Sequence, residues 1–184
     1  MTESPVLIVP GIGDSGPRHW QTLWQARHPG WQRVEQRDWD RPRCDAWVQA
    51  LDAAVAACAG PPLLIAHSLG CLTVVHWAGR APRRVRAMFL AAVPDPRSPH
   101  FPAGAEGFEP LPLDRLPCAS LVVASRNDPF GSSGHARRCA KAWGSEFIDI
   151  GEAGHINVAS GHGAWPEGWA LLSRLTQRAA PAPS

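Results

Sequence analysis

The segment Ala66-His67-Ser68-Leu69-Gly70 places a serine between the apolar run 63–65 and the run 71–80, which suits a helix. A serine at such a sharp strand-to-helix turn is held in a strained conformation, with its hydroxyl directed away from its own backbone. The first amides of the following helix then point at any negative charge that forms beside that oxygen. Small residues must flank the serine because the two backbones approach closely, and Ala66 and Gly70 meet that need. The segment predicts a nucleophilic serine for acyl transfer, although a serine at this place can also be only a helix cap.

A serine nucleophile needs a base and a group that orients the base. Asp128 follows the predicted strand 120–125, and His155 lies in a glycine-containing loop after the predicted strand 146–150. Serine, acid and histidine thus occur in an order that suits a catalytic triad, each just past a strand. We expect Ser68 to attack the acyl carbon, His155 to take its proton, and Asp128 to fix the tautomer of the imidazole.

The negative charge that develops on the carbonyl oxygen needs hydrogen-bond donors. We expect the backbone amide of Leu69 to be one donor and an amide of the loop after the first strand to be the second. Ile12 is favoured for that role, with Gly13 as the nearest alternative. No cluster of side chains has the spacing of a metal site, so we expect neither a metal nor a cofactor.

Other candidates for chemistry have simpler interpretations. Asp95 follows the preceding strand and is the alternative acid, but the order along the chain favours Asp128. Asp149 falls within a strand, and His67 suits a pocket wall or a packing position. Cys71 lies one helical turn beyond the serine and is expected to be buried. No catalytic role is assigned to the remaining histidines, which are His19, His28, His76, His100, His135 and His162.

Short apolar segments alternate with helical ones along the chain. Strands are predicted at 6–9, 33–36, 63–67, 85–92, 120–125 and 146–150, and helices at 18–27, 44–59, 69–80, 131–143 and 167–178. This alternation predicts an α/β fold with a compact, mostly parallel sheet of about six strands and helices on both faces. The proline-rich segment 93–117 is expected to form an irregular functional loop. We expect one domain over residues 1–178 and a disordered tail over 179–184.

Composition narrows the class of protein. The chain has 184 residues, 45% of them hydrophobic and 18% charged, as in a globular domain with a sizeable core. A net charge of +2 is too small to indicate a nucleic-acid or membrane-surface partner. No signal peptide or membrane span is evident, so we expect a cytoplasmic protein whose partner is a small-molecule ester or amide. The five cysteines are an odd number with no close pair, which indicates reduced thiols.

With these residues in place, the chain resembles the small α/β-hydrolases related to retinoblastoma-binding protein nine and bacterial YdeN. The resemblance covers nearly the whole chain and rests on Val9-Pro10-Gly11 with Trp20, the serine segment, and the segments 124–129, 154–157 and 160–168. It implies a hydrolase core without a separate lid domain, serine-hydrolase activity on small esters or amides, and a triad of Ser68, Asp128 and His155.

The resemblance does not extend to a retinoblastoma-type partner. Such binding uses an L-x-C-x-E motif, and both candidate segments, 69–73 and 116–120, lack the final glutamate. We therefore expect no partner of that kind.

Two other functions compete with the hydrolase. Gly11, Gly13 and Gly16 form a G-x-G-x-x-G pattern after a strand, and Glu35 approximates a ribose-binding acid, as in dinucleotide-binding proteins. Pro10 and Pro17 flank the glycines, however, and the fingerprint requires the helix to begin within them. The second alternative is a non-catalytic binding protein that keeps the hydrolase fold.

The pocket is expected to be open and shallow, which favours small soluble esters over long-chain lipids. We expect its walls in the loop after Gly11, in the proline-rich segment, and near Phe130 and Trp165. Phe101 and Phe108 are further candidate walls, unless these aromatic residues only anchor loops onto the core.

Overall fold

The computed structural model describes residues 4–80 and 84–179. Its six strands are β1 Val6–Val9, β2 Gln32–Arg33, β3 Leu63–His67, β4 Ala87–Ala91, β5 Ala119–Ala124 and β6 Glu146–Asp149. Its helices are α1 Trp20–Ala26, α2 Cys44–Ala57, α3 Leu69–Ala78, α4 Ser133–Trp143 and α5 Pro166–Arg178, with one 3-10 turn at Val158–Ser160. The predicted tail falls on residues 180–184, which lie outside the described residues, apart from Ala179 at the end of α5.

All strand pairs are parallel, in the order β2-β1-β3-β4-β5-β6. Alternate residues of each strand face opposite sides of a sheet. Leu7 and Val9 accordingly join a core beneath α2, α3 and α4, whereas Val6 and Ile8 join a second core beneath α1 and α5. The expected α/β sheet, covered on both faces, is confirmed.

Side-chain caps shift two helix boundaries from their predicted positions. The first helix begins at Trp20 rather than at residue 18 because Nδ1 of His19 accepts the amide hydrogen of Gln21. The fourth begins at Ser133 rather than at residue 131 because Ser132 accepts from the amide of His135. Such caps satisfy amides that the first helical turn leaves without partners.

The proline-rich segment contains no helix or strand among residues 93–117. One isolated bridge pairs Glu106 with Arg43, at the start of α2. Phe108 is almost fully buried and anchors the segment against α2 and α3, where it contacts Trp47 and His76. The segment is therefore fixed to the core while its start, near Pro94 and Phe101, remains at the carboxyl edge of the sheet.

Candidate active site

Parallel strands bring their carboxyl ends to one edge of the sheet, and Ser68 lies there between β3 and α3. Its backbone adopts φ 54° and ψ −126°, a conformation that residues other than glycine rarely adopt. Gly70 allows this turn because a Cβ there would lie 2.2 Å from the carbonyl oxygen of Val9. Ala66, where glycine is usual in such a segment, lies within β3 and pairs with Val9 and Leu90. The turn therefore depends on the second glycine and tolerates alanine at the first position.

His155 lies beyond β6 and connects the serine to an acid. Its Nε2 is 2.8 Å from the Ser68 hydroxyl oxygen, and its Nδ1 is 2.9 Å from both carboxylate oxygens of Asp128. A carboxylate only accepts hydrogen bonds, so Nδ1 carries the ring proton and Nε2 presents its lone pair to the hydroxyl. Asp128, whose side chain is 1% exposed, also accepts from the amide of Phe130. This arrangement can transfer a proton from the hydroxyl to the imidazole.

The loops that carry Asp128 and His155 are joined directly by a group we call the loop clamp, formed by Ser125 and Asn127. The amide of Ala153 donates to Ser125 Oγ at 2.9 Å, and that hydroxyl donates to Asn127 Oδ1 at 2.8 Å. The same Oδ1 accepts from the amide of Gly154 at 2.7 Å. Ser125 and Asn127 lie within three residues of Asp128, and the amides they bind lie within two residues of His155. The clamp therefore helps to set the relative position of the acid and the histidine.

The loop after β1 approaches the serine closely. A Cβ on Gly11 would lie 2.9 Å from the Cβ of Ser68, so the backbone here can come near the reacting oxygen only as glycine. The amide of Gly13 donates to the carbonyl of Trp39 at 3.0 Å and is thereby occupied. Of the two amides considered in this loop, Ile12 is consequently the better candidate donor, opposite Leu69 at the first position of α3.

A cavity of about 230 Å³ opens above Ser68. One wall is apolar and contains Pro94, Phe101, Pro102 and Phe130, and the ring of Phe130 lies 4.6 Å from that of His155. The other lining residues are Gly11, Ile12, Asp14, His19, His67, Leu69 and Asn157. A pocket with an apolar wall and a few convergent polar groups is typical of sites for small molecules.

Two aromatic residues expected near the pocket are absent from its lining. Phe108 packs into the core beneath the helices, and Trp165 packs against Trp20 and Trp24 with ring centroids 5.0 and 5.9 Å apart. Phe108 thus fits the alternative that it only anchors its loop onto the core, and Trp165 itself forms no part of the lining. Each side chain is directed inward, where burial of a large ring is most favourable.

Two further histidines line the cavity. Nε2 of His67 donates to the carbonyl of His155 at 2.9 Å, which anchors the histidine loop on a second side. Burial lowers the pKa of His67 well below its usual value. Burial, helped by the charge of Arg33, also lowers the pKa of His19 to about 4. Both rings are neutral near pH 7, so neither places a positive charge beside His155.

The sequence does not reveal the cavity position of His19, and it does not single out Asp14 or Asn157 within the segments that were expected near the site. His19 stands beside Trp20 without any partner pattern, and only the folded chain brings its ring within 4.7 Å of His67. Asn157 in turn caps the short 3-10 turn after His155. No sequence signal marks His19, because its neighbour His67 is distant along the chain.

The remaining candidates lie outside this arrangement. Asp95 faces His135 rather than His155, and Asp149 accepts from Arg126, Ser133 and the amide of Gly151. The Cys71 thiol is fully buried and donates to the carbonyl of Ala91, and burial raises its pKa well above the usual value. Within the described ranges, no group of three or more His, Cys, Asp or Glu could hold a metal ion.

The glycines of the loop after β1 do not lead directly into a helix. Helix α1 begins at Trp20, four residues after Gly16, with Pro17 between them. A dinucleotide fingerprint needs the helix N-terminus at the glycines to meet a pyrophosphate. The loop geometry therefore favours the hydrolase over the dinucleotide-binding alternative.

This sheet, with a serine at a strained turn after β3 and a histidine after the last strand, defines an α/β-hydrolase. A family model described as serine hydrolase matches residues 6–174. The chain belongs to this family and is a YdeN-like serine hydrolase, an enzyme of the α/β-hydrolase type.

Solved structures agree with this assignment. A YdeN-like hydrolase from Pectobacterium atrosepticum is 35% identical over 97% of this chain and 94% of its own, with a TM-score of 0.86. The ydeN gene product of Bacillus subtilis is 17% identical over 95% of this chain and 100% of its own, with a TM-score of 0.81. An esterase from Thermogutta terrifontis shares the fold at 18% identity, over 97% and 92% of the two chains, with a TM-score of 0.70. A search of curated proteins gave no match.

No helix in residues 4–80 or 84–179 is both long and apolar enough to cross a membrane.

Proposed function

We propose that this enzyme hydrolyses small soluble esters through an acyl-enzyme intermediate on Ser68, with amides as a slower second class of substrate. The observation that carries the proposal is the unbroken chain of hydrogen bonds from the Ser68 hydroxyl through His155 to Asp128. That chain begins on a serine at the floor of a cavity whose volume suits a short substrate. The nearby apolar wall favours a short aliphatic or aromatic group beside Phe101 and Phe130.

In the acylation step, Oγ of Ser68 attacks the carbonyl carbon while its proton passes to Nε2 of His155. The carbonyl oxygen becomes an oxyanion, which the amides of Leu69 and Ile12 stabilise. Each such donor contributes about 3 kcal/mol to the transition state in well-studied hydrolases. Collapse of the intermediate breaks the bond to the leaving group, which takes the proton from Nε2 and departs as an alcohol or amine.

Deacylation repeats these steps with water as the nucleophile. His155 removes one proton from the water as its oxygen attacks the acyl carbon, and Ser68 Oγ leaves with that proton. The products are a carboxylic acid and the regenerated serine. Asp128 stays ionised throughout and stabilises the imidazolium that forms in each step.

The first test is labelling with a fluorophosphonate probe, which reacts covalently with activated serines. Wild type and Ser68→Ala would be compared, with the adduct located by peptide mass spectrometry. We expect one adduct on Ser68 that is absent from the variant. A folded wild-type protein that is not labelled and hydrolyses no ester in a short-chain panel would contradict the proposal and favour a non-catalytic binding protein on the same fold.

The length of the acyl group tests which esters the enzyme prefers. The small cavity predicts that kcat/KM falls steeply from short to long acyl groups in a series of nitrophenyl esters. Comparable rates on short and long chains would contradict the preference for small soluble esters.

A further inference from the structure

Asp14 stands at the edge of the cavity, and no step of the proposed reaction uses it. Its amide donates to the carbonyl of Gly11 at 3.3 Å, which closes a turn through Ile12 and Gly13. The first and last Cα atoms of such a turn lie within about 7 Å of each other. Gly11 lies against Ser68, and Asp14 lines the same cavity as Ser68, so a substrate bound at the serine shares that cavity with the carboxylate.

The carboxylate of Asp14 is held in place by a buried arginine. Nη1 of Arg33 lies 2.5 Å from Oδ1 of Asp14, and the Arg33 side chain is only 11% exposed. The other bonds of this guanidinium go to Ser15 O, Thr22 Oγ1 and Gln25 Oε1, at 2.8 to 3.1 Å. All five N–H groups of the arginine are thereby engaged, so Arg33 has no donor left for a ligand.

The carboxylate keeps an acceptor for a ligand. Among the described residues, the only side-chain bond to it is that of Arg33 at Oδ1, and the Asp14 side chain remains 34% exposed and lines the cavity. Asp14 also holds a φ of 61°, where an aspartate is less favourable than a glycine. A turn needed only for its shape would be served better by glycine, which already occupies the neighbouring position 13.

We propose that Oδ2 of Asp14 forms a substrate subsite that accepts a hydrogen bond from a neutral donor, foremost a hydroxyl, a few atoms from the scissile carbonyl. This inference rests on the proposed ester hydrolysis at Ser68. The favoured substrates are short esters with an apolar part beside Phe101 and Phe130 and a hydroxylated part beside Asp14.

The charges around Asp14 determine which kind of substrate group fits the subsite. The guanidinium of Arg33 cancels the carboxylate charge, so the subsite adds little repulsion to the developing oxyanion and little attraction for a cation. An ionised carboxylate on the substrate has no proton to donate to Asp14. A hydroxyl supplies the donor without a net charge and is the group that this site fits.

The test compares esters that differ only in that donor. One pair is 2-hydroxyethyl butanoate and propyl butanoate, and the other is ethyl 3-hydroxybutanoate and ethyl 3-methylbutanoate, so that the alcohol and acyl sides are both covered. Acid release would be followed by titration for wild type, Asp14→Asn and Asp14→Gly. The glycine variant relieves the strained φ, so it keeps the turn if asparagine does not fold well. Asp45→Asn, which alters an aspartate paired with Arg80 outside the cavity, is the matched control.

We expect wild type to prefer the hydroxylated ester of at least one pair by about tenfold in kcat/KM, as a hydrogen bond to a charged acceptor allows. Both Asp14 variants should lose that preference, and Asp45→Asn should keep it. Equal rates on both members of each pair in wild type, or an equal loss on both members in the Asp14 variants, would overturn the inference while leaving ester hydrolysis intact. A wild type that is neither labelled at Ser68 nor active on any ester would instead overturn the proposed function.

Discussion

Two aspartate–histidine pairs lie beyond the carboxyl ends of the central strands, and they differ in what the far side of the imidazole contacts. In the first, Asp128 holds Nδ1 of His155 at 2.9 Å, and Nε2 faces the hydroxyl of Ser68. In the second, Asp95 lies 3.3 Å from Nδ1 of His135. Nε2 of that ring lies 3.2 Å from the carbonyl of Pro94 and 3.5 Å from Sγ of Cys139.

Together with Cys139, the second pair has the residue types of a nucleophile, a base and an acid. Its histidine, however, is not free to act as a base. A carbonyl only accepts hydrogen bonds, so Nε2 of His135 must carry a proton to bond Pro94. A protonated Nε2 has no lone pair with which to take a proton from Cys139. Burial lowers the pKa of His135, against the opposing effect of Asp95, and burial raises the pKa of Cys139 to about 11.

An acid beside a histidine is not enough to make that histidine a base. The first pair is a candidate catalytic pair because Nε2 faces a hydroxyl and, among the described residues, no carbonyl bonds to it. The bond from Nε2 of His135 to the carbonyl of Pro94 is better suited to fixing α4 against the segment after β4.

The largest effects should come from the residues that act directly on the substrate. We expect Ser68→Ala and His155→Ala each to lower kcat/KM for a good ester by about 10⁴-fold or more, and their combination to cost little beyond either alone. His135→Gln should stay close to wild type. Steady-state kinetics on one ester would measure all four variants, with thermal unfolding to check that each is folded. Severe loss in His135→Gln at unchanged thermal stability would contradict the distinction between the two pairs.

The two aspartates provide the next test. Asp128→Asn leaves an amide that can favour the wrong tautomer of His155, so kcat should fall by about 10³- to 10⁴-fold. Asp95→Asn should have a mild effect, because Asp95 does not contact His155. The measurement is kcat for both variants on the same ester. If the severity were reversed, the acid would be Asp95.

These two pairs also show how far the sequence predicts the molecule. The positions of the strands along the chain are predictable because buried parallel strands are short apolar runs, and each candidate residue of the triad follows such a run. The structure brings Ser68, Asp128 and His155 within hydrogen-bond distance. Asp95 follows a strand just as Asp128 does. The loop with Asp128 meets His155 because β5 pairs with β6 and the loop clamp joins the loops that follow them.

The lining of the cavity is much less predictable. Aromatic residues in loops carry no periodicity that shows which way they point, so the sequence does not reveal that Phe108 and Trp165 are buried in the core. The start of a helix is also hard to predict, because it depends on which side chain caps the first turn. The first helix begins where the side chain of His19 caps it, and histidine is not a residue whose presence marks a helix start.

A smaller effect is expected from the loop clamp, which distinguishes the first pair from the second. Ser125→Ala and Asn127→Ala should each lower kcat by about 10- to 100-fold, because a small displacement of a catalytic group is costly. KM should change little, since neither residue lines the cavity. Asn127→Asp keeps the acceptor for Gly154 and should recover much of the rate. Steady-state kinetics and the rate of fluorophosphonate labelling would measure the loss.

Ser120→Ala is the matched control for the clamp. It removes a buried hydroxyl near the start of β5, the strand that precedes the clamp, where Ser120 bonds Ser145 at 2.7 Å. We expect it to cost about 1 kcal/mol of folding stability and to leave kcat unchanged. If Asn127→Ala behaved in the same way, the clamp would stabilise the fold without positioning His155.

The smallest effect concerns the thiol of Cys139, which lies beside His135 of the second pair. A pKa of about 11 for Cys139 leaves roughly one thiolate in 10³ at pH 8. Alkylation of native Cys139 by iodoacetamide, followed by peptide mass spectrometry, should be slow at pH 8 and rise about tenfold per pH unit toward pH 11. A thiol whose pKa is raised by folding stabilises the fold fully below its usual pKa, and that contribution is lost as the pH rises through about 11.

The same alkylation experiment on His135→Gln tests whether His135 activates Cys139. If its imidazole activated Cys139 as His155 is proposed to activate Ser68, a thiolate–imidazolium pair would form near neutral pH. The alkylation rate would then level off there, and His135→Gln would slow it. We expect no plateau below pH 9 and no slowing in the variant, because the proton of Nε2 is committed to the carbonyl of Pro94. Cys139→Ala should accordingly hydrolyse esters at the wild-type rate.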